Sequence, residues 1–341
     1  MKVMNLFDHM RASLGMYVPV NDAGIPADGV WMALLREVVE GGVGAFRAGR
    51  ANCLEIQVDE NDGSVFVRYD GIDSSPERTF AMCNGDIGPI DECRWYGGLI
   101  FPLLNVLSER LEVEIIHDGR WRKFKCGHGR VGSVEELLPL FPRQMSETCV
   151  RFTPCDEYRG ASGGNIYEVK LLKNMAKAIA FVNPTLKVVV NGSEMFYEEG
   201  VEAVLRETVA RSEKMPLIPI RQVSYGTAKI SLAVVRRNAE GRRITLRTFV
   251  NGWESQRKRM PADILTELSE WVASCPILRK GEYDCVCFVE GRFPGGDLWQ
   301  NGLKHSWSDA AVTFDFNSTL GAVWRSDIRR CWPGLFKEFV G

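Results

Sequence analysis

The chain has 341 residues, of which 45% are hydrophobic and 25% are charged, as in an ordinary globular protein of two or three domains. No apolar run is long enough to span a bilayer, no signal-peptide pattern opens the chain, and the ten cysteines form no CxxC pair. We therefore expect a cytoplasmic protein with reduced thiols, no zinc site and no membrane partner. Charge is uneven, with a net −8 over residues 1–205 and +6 over residues 206–341.

The first part of the chain mixes helical and strand patterns. Trp31, Leu34, Leu35 and Val38 recur at helical spacing and predict a helix over residues 30–47. Alternating segments then predict strands in the order 53–59 and 64–70, joined by an ENDG turn, and 148–154 and 185–192 further on. Between them, residues 102–127 predict a helix and two strands around an HDGR turn, and residues 165–184 predict a helix that ends at a proline.

A change of composition marks the second part. The segment KMPLIPI, residues 214–220, places two prolines among apolar residues, so we predict a domain boundary there and domains over 1–214 and 215–341. Beyond it, residues 228–252 predict a hairpin, residues 261–275 a helix and residues 283–291 a strand. These elements alone predict two α/β domains.

Glycines crowd the second half of the predicted helix 30–47, at Gly41, Gly42 and Gly44. Each glycine in a helix interior costs roughly 1 kcal/mol relative to alanine. We therefore expect this end of the helix to fray.

The order of the segments resembles the ATPase region and transducer domain of the DNA gyrase B and topoisomerase IV family. The resemblance runs in order over most of residues 8–305 and rests on DHMRASLGMYVP, LREVVEGGVGAFRAG, NVLSERLEVEIIHDGRW, ETCVRFTP, LKNMAKAIAFVNPTLKVVVNG, FYEEGVEAVLRE and TFVNGWES. It implies a GHKL-type α/β sandwich, followed by a smaller β-α-β transducer-like domain of the ribosomal-protein type. The family's Toprim and DNA-cleaving regions have no counterpart, which implies a divergent and truncated paralogue.

The resemblance places a catalytic position on the glycine-rich helix. Glu37 matches the family glutamate that acts as general base on water, and a solvated surface carboxylate is the other interpretation. Gly41 stands where the family has the asparagine that holds magnesium. Because glycine has no side chain, we expect no metal site.

The nucleotide positions of the family are matched incompletely. Tyr69 stands for the aspartate that accepts from the adenine amino group, and Asp70 and Gly71 follow it; a register shifted by one would return Asp70 to the adenine role. Gly97 and Gly98 remain from the phosphate cradle, but the apolar residues 99–102 replace the rest. Further nucleotide positions implied by the resemblance are Thr148, which also suits an ordinary strand, and Gln300 and Lys304 of a transducer loop. We expect Tyr69 and residues 99–101 to fill the nucleotide space.

These substitutions predict a non-catalytic binding or regulatory module without ATP or magnesium. The resemblance implies DNA, a topoisomerase or another protein as partner, and allows a homodimer. The alternative is a divergent ATPase that binds ATP and magnesium and uses Glu37 and Lys304. A third hypothesis is another small ligand stacked on Tyr69, Trp95 and Tyr96.

The basic second part predicts weak nucleic-acid binding, and a solvated surface remains the other interpretation. The residues proposed for DNA form two clusters, one around the predicted hairpin turn and one in a later loop: Arg236, Arg237, Arg242 and Arg243, and Arg257, Lys258 and Arg259.

Overall fold

The computed structural model describes residues 5–27, 29–86, 99–137, 142, 145–159, 166–200 and 203, together with the backbone of five strands between residues 221 and 291. The chain divides into two compact units, one containing residues 1–196 and another that begins at Tyr197. Each described unit is built around one β-sheet. The predicted boundary at residue 215 lies outside the described residues, so that division stays a prediction.

The first unit contains an eight-stranded mixed sheet with the strand order β5-β4-β3-β6-β2-β1-β7-β8. Its strands are β1 (Cys53–Val58), β2 (Val65–Tyr69), β3 (Ser108–His117), β4 (Arg120–Gly127), β5 (Arg130–Leu137), β6 (Glu147–Pro154), β7 (Lys187–Val190) and β8 (Ser193–Met195). Only β1 and β7 run parallel among these neighbours. The helices are α1 (Leu6–Ala12), α2 (Val30–Arg47), α3 (Pro76–Cys83), α4 (Ile100–Leu107) and α5 (Val169–Val182).

The helices cover one face of this sheet because every second strand residue is apolar. In β1, Leu54, Ile56 and Val58 are buried, whereas the residues between them are more exposed. Helix α2 packs Leu34 and Leu35 into the same core, where both are fully buried. Burial of this kind stabilises the unit by roughly 1.5–3 kcal/mol for each large apolar side chain.

The opposite face of the sheet carries cross-strand ion pairs. Glu112 of β3 is only 3% exposed. Its carboxylate lies 2.6 Å from Arg110, on the same strand, and 3.3 Å from Lys123 of β4. Lys123 also lies 2.7 Å from Glu114. Pairs between neighbouring strands stabilise their register, so this face is held by charge where the helix-covered face is held by apolar packing.

The second unit contains a five-stranded sheet with the order β12-β11-β13-β10-β9. Its strands are β9 (Arg221–Tyr225), β10 (Ala228–Arg236), β11 (Ile244–Val250), β12 (Trp253–Glu254) and β13 (Tyr283–Gly291). The helix predicted over residues 261–275 lies outside the described residues.

The predicted hairpin over residues 228–252 is wrong in its pairing. Strands β10 and β11 both form, but β13 lies between them, antiparallel to β10 and parallel to β11. Strands two positions apart in a sheet are separated by about 10 Å. The stretch between the end of β10 and the start of β11, residues 237–243, is longer than a tight hairpin loop. The turn expected to gather Arg236, Arg237, Arg242 and Arg243 lies outside the described residues, so the proximity of these arginines stays a prediction.

Candidate functional site

Helix α2 forms one wall of the candidate site. It continues unbroken from Val30 to Arg47, so the expectation that its glycine-rich half frays is wrong. The reason is close packing: a Cβ atom on Gly42 would lie 2.7 Å from Leu54 Cδ1 and 3.2 Å from Tyr69 Cδ1. This glycine lets the helix approach the sheet, and the resulting tertiary contacts outweigh its low helix propensity.

Tyr69 ends strand β2 and packs its ring against α2. The side chain is 6% exposed, and its hydroxyl lies close to Thr148, the residue directly opposite on β6. Burial raises the pKa of this phenol, and a nearby carboxylate, Asp73, raises it further. The ring is therefore neutral and occupies the slot that Gly42 leaves open.

Glu37, Tyr69, Ile100 and Phe101 enclose a cavity of about 20 Å³ between α2, the sheet and the start of α4. A cavity of this volume holds about one water molecule, whereas pockets for larger ligands measure roughly 300–1,000 Å³. Tyr69, Ile100 and Phe101 thus lie in the walls of a small cavity between helix and sheet. That they fill the space of the family's nucleotide stays a prediction. The other lining residues are Val38, Asp73, Ser74, Thr79, Ile115, Thr148 and Val150.

Glu37 lies in the wall of this cavity and is 2% exposed. Within the described part of the chain, its Oε2 atom is buried and has no hydrogen-bond partner. Burial raises the pKa of Glu37 well above its ordinary value, the charge of Glu40 raises it further, and Arg36 opposes both. The carboxyl therefore favours its neutral form.

Two more carboxyls belong to the same region. Glu40 follows Glu37 by one helical turn, and burial, opposed by Arg36 and reinforced by Asp73, raises the pKa of Glu40 to about 8. Asp73 lies against α2, since a Cβ on Gly44 would be 2.8 Å from its Oδ1 atom. Among the described residues, no group of three His, Cys, Asp or Glu side chains could hold a metal ion. Gly41, also on α2, supplies no ligand.

The structure gives Asp70 and Gly71 a role in the sheet. Asp70 Oδ1 accepts the backbone N–H groups of Asn52 and Cys53 at 2.8 and 2.7 Å, so it caps the start of β1. The carbonyl oxygen of Gly71 accepts the hydroxyl of Thr148 at 2.8 Å. Of the predicted nucleotide positions, the structure therefore brings Tyr69 and Thr148 to the cavity beside Glu37, and Asp70 instead contacts the backbone of β1.

Several predicted positions lie outside the described residues: Gly97, Gly98, Gln300 and Lys304 for the nucleotide, Trp95 and Tyr96 for a stacked ligand, and Arg237, Arg242, Arg243, Arg257, Lys258 and Arg259 for DNA. Of Arg236 only the backbone is described, as the last residue of β10 opposite Tyr283. These assignments stay predictions.

Sequence reasoning missed three polar residues of the site. Glu40 could have been found, because it lies three residues after Glu37 on the same helix face. Ser74 and Thr79 line the cavity, and their hydroxyl oxygens are 2.8 Å apart. No sequence pattern indicates this pair, because α3 folds back over the sheet only in the tertiary structure.

No protein-family model matches the sequence, and no curated protein matches it. Solved structures do match. The B-subunit of DNA gyrase from Myxococcus xanthus has a TM-score of 0.62 at 17% identity, covering 84% of this chain and 85% of that chain. The 43K ATPase domain of Thermus thermophilus gyrase B, in complex with an aminocoumarin, has a TM-score of 0.59 at 16% identity, covering 88% and 87%.

A third structure, the topoisomerase IV ATP-binding domain of Francisella tularensis with a small-molecule inhibitor, has a TM-score of 0.55 at 18% identity, covering 86% of this chain and 84% of that chain. The mixed eight-stranded sheet with its helices is thus the GHKL-type α/β fold of gyrase B. Identities this low establish a shared fold, and function has to be argued from the site. Among the described helices, none is both long and apolar enough to cross a bilayer.

Proposed function

We propose that this protein is a gyrase-B-like paralogue that binds a partner and does not hydrolyse ATP. The observation that supports this most strongly is the 20 Å³ cavity enclosed by Glu37, Tyr69, Ile100 and Phe101. A nucleotide needs more than ten times that volume. To admit one between α2 and the sheet, the Tyr69 ring would have to leave its slot against Gly42.

The chemistry of Glu37 also argues against catalysis. A general base must be ionised to accept a proton from water, and burial favours the neutral form of this carboxyl. Gly41 offers no oxygen for magnesium, and magnesium would supply the charge that neutralises developing phosphate charge. Both the base and the metal would have to be supplied from elsewhere.

The partner we propose is DNA, or a topoisomerase or other protein that carries acidic surface. The argument is charge: residues 206–341 carry 21 Lys and Arg against 15 Asp and Glu. Binding to duplex DNA through such residues should weaken by about 0.9 log units per log unit of salt for each neutralised phosphate.

The nucleotide part is tested by calorimetric titration with a non-hydrolysable ATP analogue and magnesium. We expect no binding heat with the wild-type protein. Saturable micromolar binding would overturn the proposal. Gyrase B, run in parallel, controls for the quality of the analogue.

The DNA part is tested by fluorescence anisotropy at low and moderate salt, with Arg257, Lys258 and Arg259 changed together to alanine. We expect weak binding that falls with salt and that the triple variant reduces. Absence of binding at low salt, or binding that the triple variant leaves unchanged, would make a protein the partner.

One observation favours the alternative of a divergent ATPase. Within the described residues, Glu37 Oε2 has no hydrogen-bond partner and Glu37 lines the cavity, as a base that awaits a water would. In this alternative, Lys304 would contact the γ-phosphate. Magnesium-dependent ATP turnover that Glu37→Gln abolishes would establish it.

A further inference from the structure

The cavity beside Glu37 is small, and its walls combine apolar side chains with several polar groups. Its volume of about 20 Å³ exceeds the roughly 10–15 Å³ that one water requires and leaves no room for a second. A site for water also needs two to four polar groups. The cavity is lined by two carboxyl-bearing residues, Glu37 and Asp73, and by four hydroxyl-bearing residues, which are Tyr69, Ser74, Thr79 and Thr148.

The carboxyl of Glu37 gives the strongest indication of an occupant. It is 98% buried, and its Oε2 atom has no hydrogen-bond partner among the described residues. A buried polar oxygen without a hydrogen bond costs about 1–3 kcal/mol. A partner in the cavity would remove that cost.

The hydroxyls can complete the coordination of such a partner. Thr148 uses its proton in the bond to the Gly71 carbonyl, and Ser74 and Thr79 share a hydrogen bond. Each hydroxyl oxygen has two acceptor sites besides its one proton, so acceptor capacity remains on these walls. A molecule that both donates and accepts fits this set.

We propose that one ordered water is a fixed part of this cavity, held by the Glu37 carboxyl and the hydroxyls that share its walls. The inference rests on the proposed function in one respect, since it requires a site without nucleotide. A small cation suits the cavity less well, because Arg36 already supplies positive charge to Glu37 and Glu40, and Arg47 supplies it to Glu40. The water would stabilise the closed site, so that Tyr69 and the water together occupy the space between helix and sheet.

The test counts long-lived internal waters in the nucleotide-free, full-length protein by oxygen-17 magnetic relaxation dispersion. Glu37→Met removes the hydrogen-bonding atoms at nearly constant length, Glu37→Gln keeps them, and Glu40→Gln changes a carboxyl on the same helix that does not line the cavity. We expect one water fewer in Glu37→Met than in the wild type, and no change in the two glutamine variants. Equal counts in the wild type and Glu37→Met would overturn the proposal.

A crystal structure of the wild-type protein, at a resolution where ordered waters are seen, keeps the proposal falsifiable if Glu37→Met does not fold. A density peak within hydrogen-bond distance of the Glu37 carboxyl is the expected result, and its absence would overturn the water site. Failure of the proposed function would look different: the calorimetric titration would show binding of the ATP analogue, whereas the water count is measured without nucleotide.

Discussion

Each face of the eight-stranded sheet buries a glutamate, and the pKa values of the two carboxyls are shifted in opposite directions. Glu37, between α2 and the sheet, is 2% exposed, and burial raises its pKa well above the ordinary value. Glu112, on the other face, is 3% exposed; burial would raise its pKa, but the hydrogen bonds and charges of Arg110 and Lys123 outweigh burial and lower it.

Burial alone therefore does not decide whether a carboxyl is charged. The deciding factor is the set of partners that the fold supplies at about 3 Å. Arg110 of the same strand and Lys123 of the neighbouring strand lie beside the Glu112 carboxylate, whereas Glu37 faces a cavity lined by apolar groups, hydroxyls and the carboxyl of Asp73. The experiments below change one face at a time.

The largest effect is expected at Tyr69, which closes the helix-covered face. Tyr69→Ala should lower the free energy of unfolding of the first unit by about 3–5 kcal/mol, because it deletes a buried ring and leaves a cavity. Tyr69→Phe keeps the ring and should cost about 1 kcal/mol or less. Urea titration with a hydrogen-exchange readout on peptides of β2 and α2 measures both. A cost for Tyr69→Ala as small as that for Tyr69→Phe would show that the ring does not hold the site closed.

The next effect is expected on the opposite face. Glu112→Ala should lower the free energy of unfolding by about 2 kcal/mol, below the range for a fully buried pair because the Arg110 side chain is 67% exposed and can turn to water. Glu55→Ala, on the same face with a longer 3.6 Å contact to an exposed arginine, is the matched control and should cost less than about 1 kcal/mol. Equal losses in the same urea titration would contradict the distinction between buried and exposed pairs.

A smaller effect is expected from the glycines of α2. Gly42→Ala should destabilise the first unit by about 1–2 kcal/mol, because overpacking against Leu54 and Tyr69 exceeds the gain in helix propensity. Gly44→Ala meets the end of the Asp73 side chain, which can turn aside, and should be nearly neutral. Thermal unfolding followed by calorimetry compares the pair, and a stabilising Gly42→Ala would mean that α2 does not depend on close approach at this position.

The last contrast is in the pH dependence of stability, which varies wherever the pKa of a carboxyl differs between the folded and the unfolded state. In the folded protein the pKa of Glu37 is raised well above the ordinary 4.5, and the pKa of Glu40 is raised to about 8. Their stabilising contribution is therefore complete below about pH 4.5 and is lost as the pH rises toward 8. The lowered pKa of Glu112 acts in the other window, with stability present above about pH 4.5 and lost at lower pH.

Stability curves from about pH 3 to pH 9 test this contrast. Changing Glu37 and Glu40 together to glutamine should reduce the loss of stability between about pH 5 and pH 8. It should leave the loss of stability below about pH 4.5 unchanged. Glu112→Gln should reduce only the loss of stability below about pH 4.5. If the double variant instead kept its full stability below about pH 4.5, the carboxyls of the two faces would have been assigned to the wrong pH ranges.

The sequence by itself determined the local elements of this protein and their order. The apolar spacing in α2, the alternation in β1, β2 and β6, and the HDGR turn predicted elements that the structure confirms. Helix α3 went unpredicted although Ser75 caps it and a proline occupies its first turn, because eight residues give little periodicity. The family resemblance agrees with the solved structures in fold. It also named Glu37, Tyr69 and Thr148, which the structure places around one cavity.

Only the tertiary structure decided the features that depend on distant neighbours. The glycines of α2 predict fraying from propensity, yet the close approach of Gly42 to Leu54 and Tyr69 keeps the helix intact. Adjacent strands β10 and β11 predict a hairpin, yet a strand from much later in the chain separates them, because backbone pairing is sequence-independent and β13 fits between them. Two glutamates that look alike in the sequence have pKa values shifted in opposite directions, because the hydrogen bonds of Arg110 and Lys123 outweigh burial at Glu112, whereas burial and the charge of Glu40 outweigh Arg36 at Glu37.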